Sequence, residues 1–191
     1  MKRTVGIGHQ DFEYIRKNNL FYVDKTNFLM QWWQSNDSVT LITRPRRFGK
    51  TLNMSMTEKF FSVSCFGRKD LFEGLFIWQE EKYRKIQGTW PVIFLSFAKV
   101  KEISFRNARK KICQLITNLY NQFDFLLESG LLNEKEKKLY QEVNADMEDY
   151  LASEALSNLS DYLMRYYGKK VIILLDEYDT PMQEAYVNGY W

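Results

Sequence analysis

Histidine occurs once and cysteine twice in these 191 residues, which leaves little room for imidazole or paired-thiol chemistry. His9 sits in a polar N-terminal stretch and reads as ordinary surface. Cys65 and Cys113 are far apart with no C-x-x-C pairing, which argues against structural zinc and a disulfide framework and suits a reducing compartment. Three prolines mark few breaks, and neither an internal repeat nor a low-complexity linker is visible. No apolar run reaches the roughly 18 residues of a membrane helix, and the N-terminus, MKRTVGIGHQDFEY, lacks an apolar signal core. A cytoplasmic protein with no membrane partner is expected. Net charge is scarce too: 27 Lys and Arg against 24 Asp and Glu leave +3, too mild an excess to indicate nucleic acid or membrane by itself.

What the chain has is bulk. Apolar residues make up 45% and aromatics 16%, including 14 Phe, 12 Tyr and 5 Trp, a globular composition with large side chains to bury. The length suits one domain. Residues 12–29 read as a short helix, an extended piece around Leu20–Val23 and a second helix, with Asp24 as its expected N-cap. Trp32 and Trp33 are adjacent, so one is expected in the core and one on the surface. Ser38–Thr43 (SVTLIT) is β-branched and apolar, the length of a buried strand. The stretch KTLNMSMTEKFF is helical in period. Pro91–Val100 reads as a second strand. Long helices follow around Ile112–Tyr120, Glu134–Val143 and Leu151–Tyr167, the last stopped by Gly168. Val171–Pro181 (VIILLDEYDTP) supplies a third strand running into acids. Strands separated by helices imply a parallel α/β sheet.

The chemistry concentrates at two places. RPRRFGKT ends in Gly49-Lys50-Thr51, the close of a phosphate-binding loop of the form G-x-x-x-x-G-K-[ST], set between an expected strand and an expected helix. Arg44 stands where the first glycine of that pattern falls. Gly49 lets the backbone approach a phosphate, Lys50 can reach the β and γ phosphates, and the Thr51 hydroxyl can ligate magnesium. Arg46, Arg47, Phe48 and Leu52 complete the stretch expected to line a triphosphate. The second place is VIILLDEYD, an apolar strand ending in two carboxylates. Asp176 is positioned to hold magnesium and Glu177 to polarise an attacking water, with Asp179 the next choice of base. A GKT in a basic turn, or an apolar run ending in acids, is common alone. The two together, in this order, are not.

These strings carry a family resemblance over nearly the whole chain. FEYIRKNNLFYVDKTNFL, LITRPRRFGKTLNMSM, LFEGLFI, PVIFLSF and VIILLDEYDTPMQEAY resemble the AAA-ATPase-like family of P-loop ATPases, whose members often carry a PD-(D/E)xK nuclease-like domain. RPRRFGK and YVDKT are the most specific, and the resemblance implies that arginine is tolerated at position 44. It implies ATP and Mg²⁺ as ligands, and Lys50 and Glu177 as catalytic residues. The implied fold is an additional-strand P-loop NTPase related to AAA and archaeal ATPases: a three-layer sandwich with a parallel sheet and, here, a helical insertion between the motifs. In that fold a sensor strand lies between the loop strand and the acidic strand. The chain is therefore expected to be a single P-loop domain over 1–191, truncated after the acidic strand and weak in turnover.

Three functions compete. The first is ATP binding and hydrolysis; an acid at position 177 favours turnover over binding alone. The second is a nucleotide-binding switch or assembly module without turnover, working through a protein partner or self-association. The third is a basic nucleic-acid-binding fragment, tied to an associated nuclease-like domain; the small net charge speaks against strong duplex binding. Asp24-Lys25-Thr26 is expected either to line the adenine or ribose side or to serve only the helix cap. Arg106–Lys111 (RNARKK) reads as the wet face of a helix.

Overall fold

Where the sequence carries a 3.6-residue apolar period, the chain is helical. The computed structural model describes residues 4–43, 45 and 47–191, and its contacts fall into two units that divide after Val92.

In the first unit α1 (Phe12–Lys17) starts at Asp11, whose carboxylate accepts the N–H groups of Glu13 and Tyr14. Helices α2 (Asn27–Ser35), α3 (Lys50–Phe61) and α4 (Glu81–Ile86) follow, with 3₁₀ turns at Val63–Cys65, Lys69–Leu71 and Phe76–Gln79 between the last two. Phe12, Phe60, Phe61 and Phe72 are fully buried. Phe12 stacks on Phe72, and Phe60 meets both Phe61 and Phe72 edge-on with centroids 4.9 and 5.1 Å apart. Such geometries add about 0.5–1.5 kcal/mol each beyond the area they bury. Trp33 stacks on Phe61 and Trp32 meets the same ring edge-on. Both tryptophans are half-buried, which corrects the expected division into one core and one surface ring: neighbours on a helix can share one large partner.

Asp24 is not the N-cap of α2. Thr26 occupies that position and makes no side-chain cap bond. Instead, Asp24 Oδ1 accepts the N–H and hydroxyl of Thr26 at 2.8 and 2.7 Å, and Oδ2 accepts the Phe76 N–H at 2.7 Å. The fully buried Thr26 hydroxyl oxygen in turn accepts the Ile77 N–H at 3.1 Å. A short polar side chain has several backbone donors in reach, and here the distant turn, not the helix end, takes it.

The strand expected at Ser38–Thr43 does not form. No described residue provides it a ladder partner, and Val39 is 86% exposed. Strand propensity measures fit to a pleated, half-buried surface; without a neighbouring strand, β-branched residues alone do not make one.

The second unit contains β1 (Val92–Ser96, beginning in the first), α5 (Phe105–Asn121), α6 (Phe125–Glu128), α7 (Glu134–Glu142), α8 (Asp149–Tyr167), β2 (Ile172–Asp176) and α9 (Thr180–Val187). The expected strand from Pro91 to Val100 is shorter, with proline just outside it. β1 and β2 pair as a two-stranded parallel sheet, the connection running through four helices as parallel pairing requires. Among the described residues the sheet has two strands, not three. Cys113, Ile116, Leu119 and Tyr120 of α5 pack with Leu151, Ala155, Leu159 and Leu163 of α8 in one apolar core. The Tyr120 hydroxyl donates to the Ala155 carbonyl, and the Tyr140 hydroxyl to the Tyr120 carbonyl, both at 2.7 Å. Burial pushes both phenols well above their ordinary pKa. The basic run on α5 is the solvated face expected: Arg109 pairs with Asp149 and Lys110 with Asp146.

Thr26→Val keeps the volume of the buried side chain but removes the acceptor of the Ile77 N–H. It should lower the unfolding free energy by about 1–3 kcal/mol. A urea midpoint equal to wild type would show that the Asp24–Thr26 tether does not hold the Phe76–Gln79 turn.

Candidate functional site

Two residues of the loop before α3 adopt left-handed backbone: Arg47 at φ +69° and Gly49 at φ +78°. At Gly49 this conformation would cost a residue with a side chain about 1–2 kcal/mol. Its carbonyl accepts the first bond of α3, from the Asn53 N–H at 2.9 Å. The amides of residues 50–52 therefore form the N-terminal end of a 12-residue helix, the end whose dipole favours anions. Lys50 Nζ donates across the loop to the Pro45 carbonyl at 3.4 Å. Arg47 and Phe48 are exposed, while Gly49, Lys50, Thr51 and Leu52 are half-buried. Arg44 and Arg46 lie outside the described residues. One turn into the helix, the buried Oδ1 of Asn53 meets no donor among the described residues.

In the second unit β2 ends at Asp176, which is only 3% exposed. The Ser96 hydroxyl at the end of β1 donates to Asp176 Oδ2 at 3.3 Å, and the Phe97 N–H donates to the Asp176 carbonyl at 2.9 Å. The strand is one-sided: Leu174 and Asp176 are buried, while Ile173 and Leu175 are 44% and 40% exposed. Glu177 then turns the chain in left-handed backbone, φ +47°, with its carboxylate in solvent. The Thr180 N–H donates to the Glu177 carbonyl at 3.0 Å, and the Thr180 hydroxyl to Oε2 at 3.3 Å. Asp179 precedes α9, its carboxylate accepting the Gln183 amide.

The sequence-predicted residues thus gather in two groups: Arg47–Leu52 at the start of α3, and Asp176, Glu177 and Asp179 at the end of β2. Sequence reasoning missed Ser96 and Asn53. Ser96 is the polar end of the string PVIFLS, a signal only once that strand is known to lie beside the acidic one. Asn53 gave no signal. As to a cation, the Thr51 hydroxyl and the Asp176 carboxylate are both hard oxygen donors of the kind magnesium takes. Among the described residues no three His, Cys, Asp or Glu side chains cluster as a cage for a metal ion. Magnesium held by one or two protein oxygens and by phosphates needs no such cage.

The chain belongs to the AAA-ATPase-like family, described as predicted AAA-ATPases, whose model matches residues 6–190. It is also similar to the "Uncharacterized protein in vnfD 5'region" of Azotobacter chroococcum mcd 1, 26% identical over 185 residues. That match covers 95% of this chain and 30% of the relative, so the chain spans less than a third of that protein's length. No solved structure matches. No helix among the described residues is long and apolar enough to cross a membrane.

Glu177 occupies a backbone conformation that favours glycine. Releasing that strain is worth about 1–2 kcal/mol, offset by roughly 0.5–1 kcal/mol for the extra chain entropy of glycine. Glu177→Gly should therefore raise the unfolding free energy by about 0.5–1 kcal/mol in urea titration. A loss above about 1 kcal/mol would mean that the Thr180 contact, not the turn, governs this position.

Proposed function

We propose that this chain is an ATP-binding and ATP-hydrolysing P-loop domain. The observation that carries the reading is the left-handed Gly49 set directly ahead of Lys50 and Thr51 on a 12-residue helix, in a member of a family of predicted AAA-ATPases. In this reading the fold is the additional-strand P-loop type.

Each residue has a role its surroundings support. The amides of residues 49–52 and the Lys50 ammonium bind the phosphates. Lys50 already reaches across the loop toward the Pro45 carbonyl, on the side where a phosphate would sit. Arg46 and Arg47 add charge over the triphosphate, and Phe48 and Leu52 border it. Magnesium, when bound, neutralises phosphate charge as it develops; Thr51 and Asp176 are the residues that would hold it. Burial and the Ser96 hydroxyl keep the Asp176 carboxylate in one orientation. Glu177 is solvent-facing and tied by Thr180, which suits a group that accepts a proton from water and orients it.

Lys50→Ala should weaken ATP binding at least tenfold in isothermal titration, the loss of one charge-assisted phosphate contact. The melting temperature should stay within about 2 °C, because the side chain contributes charge and not packing. Equal affinity in mutant and wild type would remove the loop from this reading.

The two carboxylates should separate. Asp176→Asn is expected to weaken binding of Mg²⁺-ATP more than binding of ATP in EDTA. Glu177→Gln should keep binding and abolish phosphate release. Identical phenotypes would mean the roles are misassigned, with Asp179 the next base to test; tight binding without turnover in the wild type would favour a nucleotide-dependent switch.

A further inference from the structure

The string YVDKT holds its residues with unequal care. Asp24 and Thr26 are consumed by the tether to Phe76 and Ile77. The Tyr22 hydroxyl donates to the Met56 sulfur on α3 at 3.1 Å and accepts the Lys25 N–H at 3.4 Å; burial pushes its pKa up to about 12, so it stays a neutral donor. The backbone on both sides of Lys25 is thus anchored, on one side to α3 itself. The Lys25 side chain is exposed, and its ammonium makes no hydrogen bond or ion pair among the described residues. Yet it does not point away. Lys25 Nζ stands 3.5 Å from where a Cβ on Gly49 would be, within van der Waals reach of that point from a different segment of the chain.

This is an unfavourable place for a lysine in the free protein. The loop beside it already carries Arg47 and Lys50, and like charges gathered at one loop repel one another. No described carboxylate pairs with Lys25 or Arg47 to offset it. An anion seated at Gly49 would attract each of these cations and so offset their mutual repulsion.

We infer that Lys25 is a second phosphate-binding lysine, which reaches the loop from outside it and selects for nucleotides with a polyphosphate chain over monophosphates. The inference rests on the reading of Gly49–Thr51 as a nucleotide loop. It also replaces the adenine or ribose role for this residue: the contact is with the glycine that approaches the phosphates, so the charge serves phosphate and not base.

The test is a set of titrations of the 191-residue chain with Mg²⁺-ATP, Mg²⁺-ADP, AMP and inorganic tripolyphosphate, in wild type, Lys25→Ala, Lys25→Arg and Lys50→Ala. Lys25→Ala should lose about tenfold in affinity for ATP, ADP and tripolyphosphate, with AMP changed by less than about twofold. Lys25→Arg should recover most of the loss, and thermal melting should be unchanged in both variants. Wild-type affinity in Lys25→Ala, or an equal loss for AMP and ATP, overturns the inference while leaving the loop assignment standing. If Lys50→Ala binds ATP like wild type, or the wild type binds none of the four ligands, the loop reading fails and this inference fails with it.

Discussion

The start of α3 is the constraint on which the first unit depends. A helix can begin directly after Gly49 only because that residue takes left-handed backbone without a Cβ penalty, and it must end where Phe60 and Phe61 are buried. Those two rings are held by Phe72, Trp32 and Trp33, so the far end of the helix is fixed by packing. A helix is stiff along its axis. Anchoring one end in an aromatic core therefore positions the amides at the other, about 18 Å away at 1.5 Å per residue. The loop is thereby joined to a helix N-terminus of defined position, the end that favours anions.

The second unit reaches a comparable result with different means. A buried carboxylate is costly unless hydrogen-bonded, and Asp176 obtains the Ser96 hydroxyl because β1 and β2 are parallel neighbours whose ends coincide. The next residue leaves the strand in left-handed backbone, which turns Glu177 out of the sheet into water. Adjacent carboxylates thus have opposite surroundings, one enclosed and one solvated, and that contrast follows from the strand ending where it does. Strain of this kind persists only where neighbouring structure overrides local preference; here the two Thr180 hydrogen bonds to Glu177 do so.

Much of this was legible in residue patterns. α3, α5, α7, α8 and β2 follow from apolar period and cap residues, because periodicity reports which face will be buried. GKT and the paired acids are local strings, readable without a fold. What failed depended on partners. Ser38–Thr43 has strand composition, yet no described strand pairs with it. Asp24 sits where an N-cap belongs, yet a backbone N–H some fifty residues on claims its carboxylate. Ser96 and Asp176 are 80 residues apart, and Lys25 comes beside Gly49 from a different segment of the first unit. No window of sequence contains such pairs.

The distribution of ion pairs bears on what the loop is for. Elsewhere in the first unit several cations are matched with acids. Arg68 holds Glu13 and Asp70, each at 2.9 Å, and Lys17 adds to Glu13 at 2.7 Å. Hydrogen bonds from Lys17 and Arg68 draw the Glu13 carboxyl below its usual range, and Arg68 does the same to Asp70. These pairs are partly exposed and contribute at most about 1 kcal/mol apiece, but they show that acids are at hand where charge is to be neutralised. Around Gly49 the arrangement is reversed: cations converge, and for Lys25 and Arg47 no described acid answers them. Surface repulsion of this kind is small and screened by salt, so the fold tolerates it. On the proposed function its effect on a ligand would be larger, since a polyphosphate would meet several cations at once, with Lys25 and Arg47 not held by any described carboxylate.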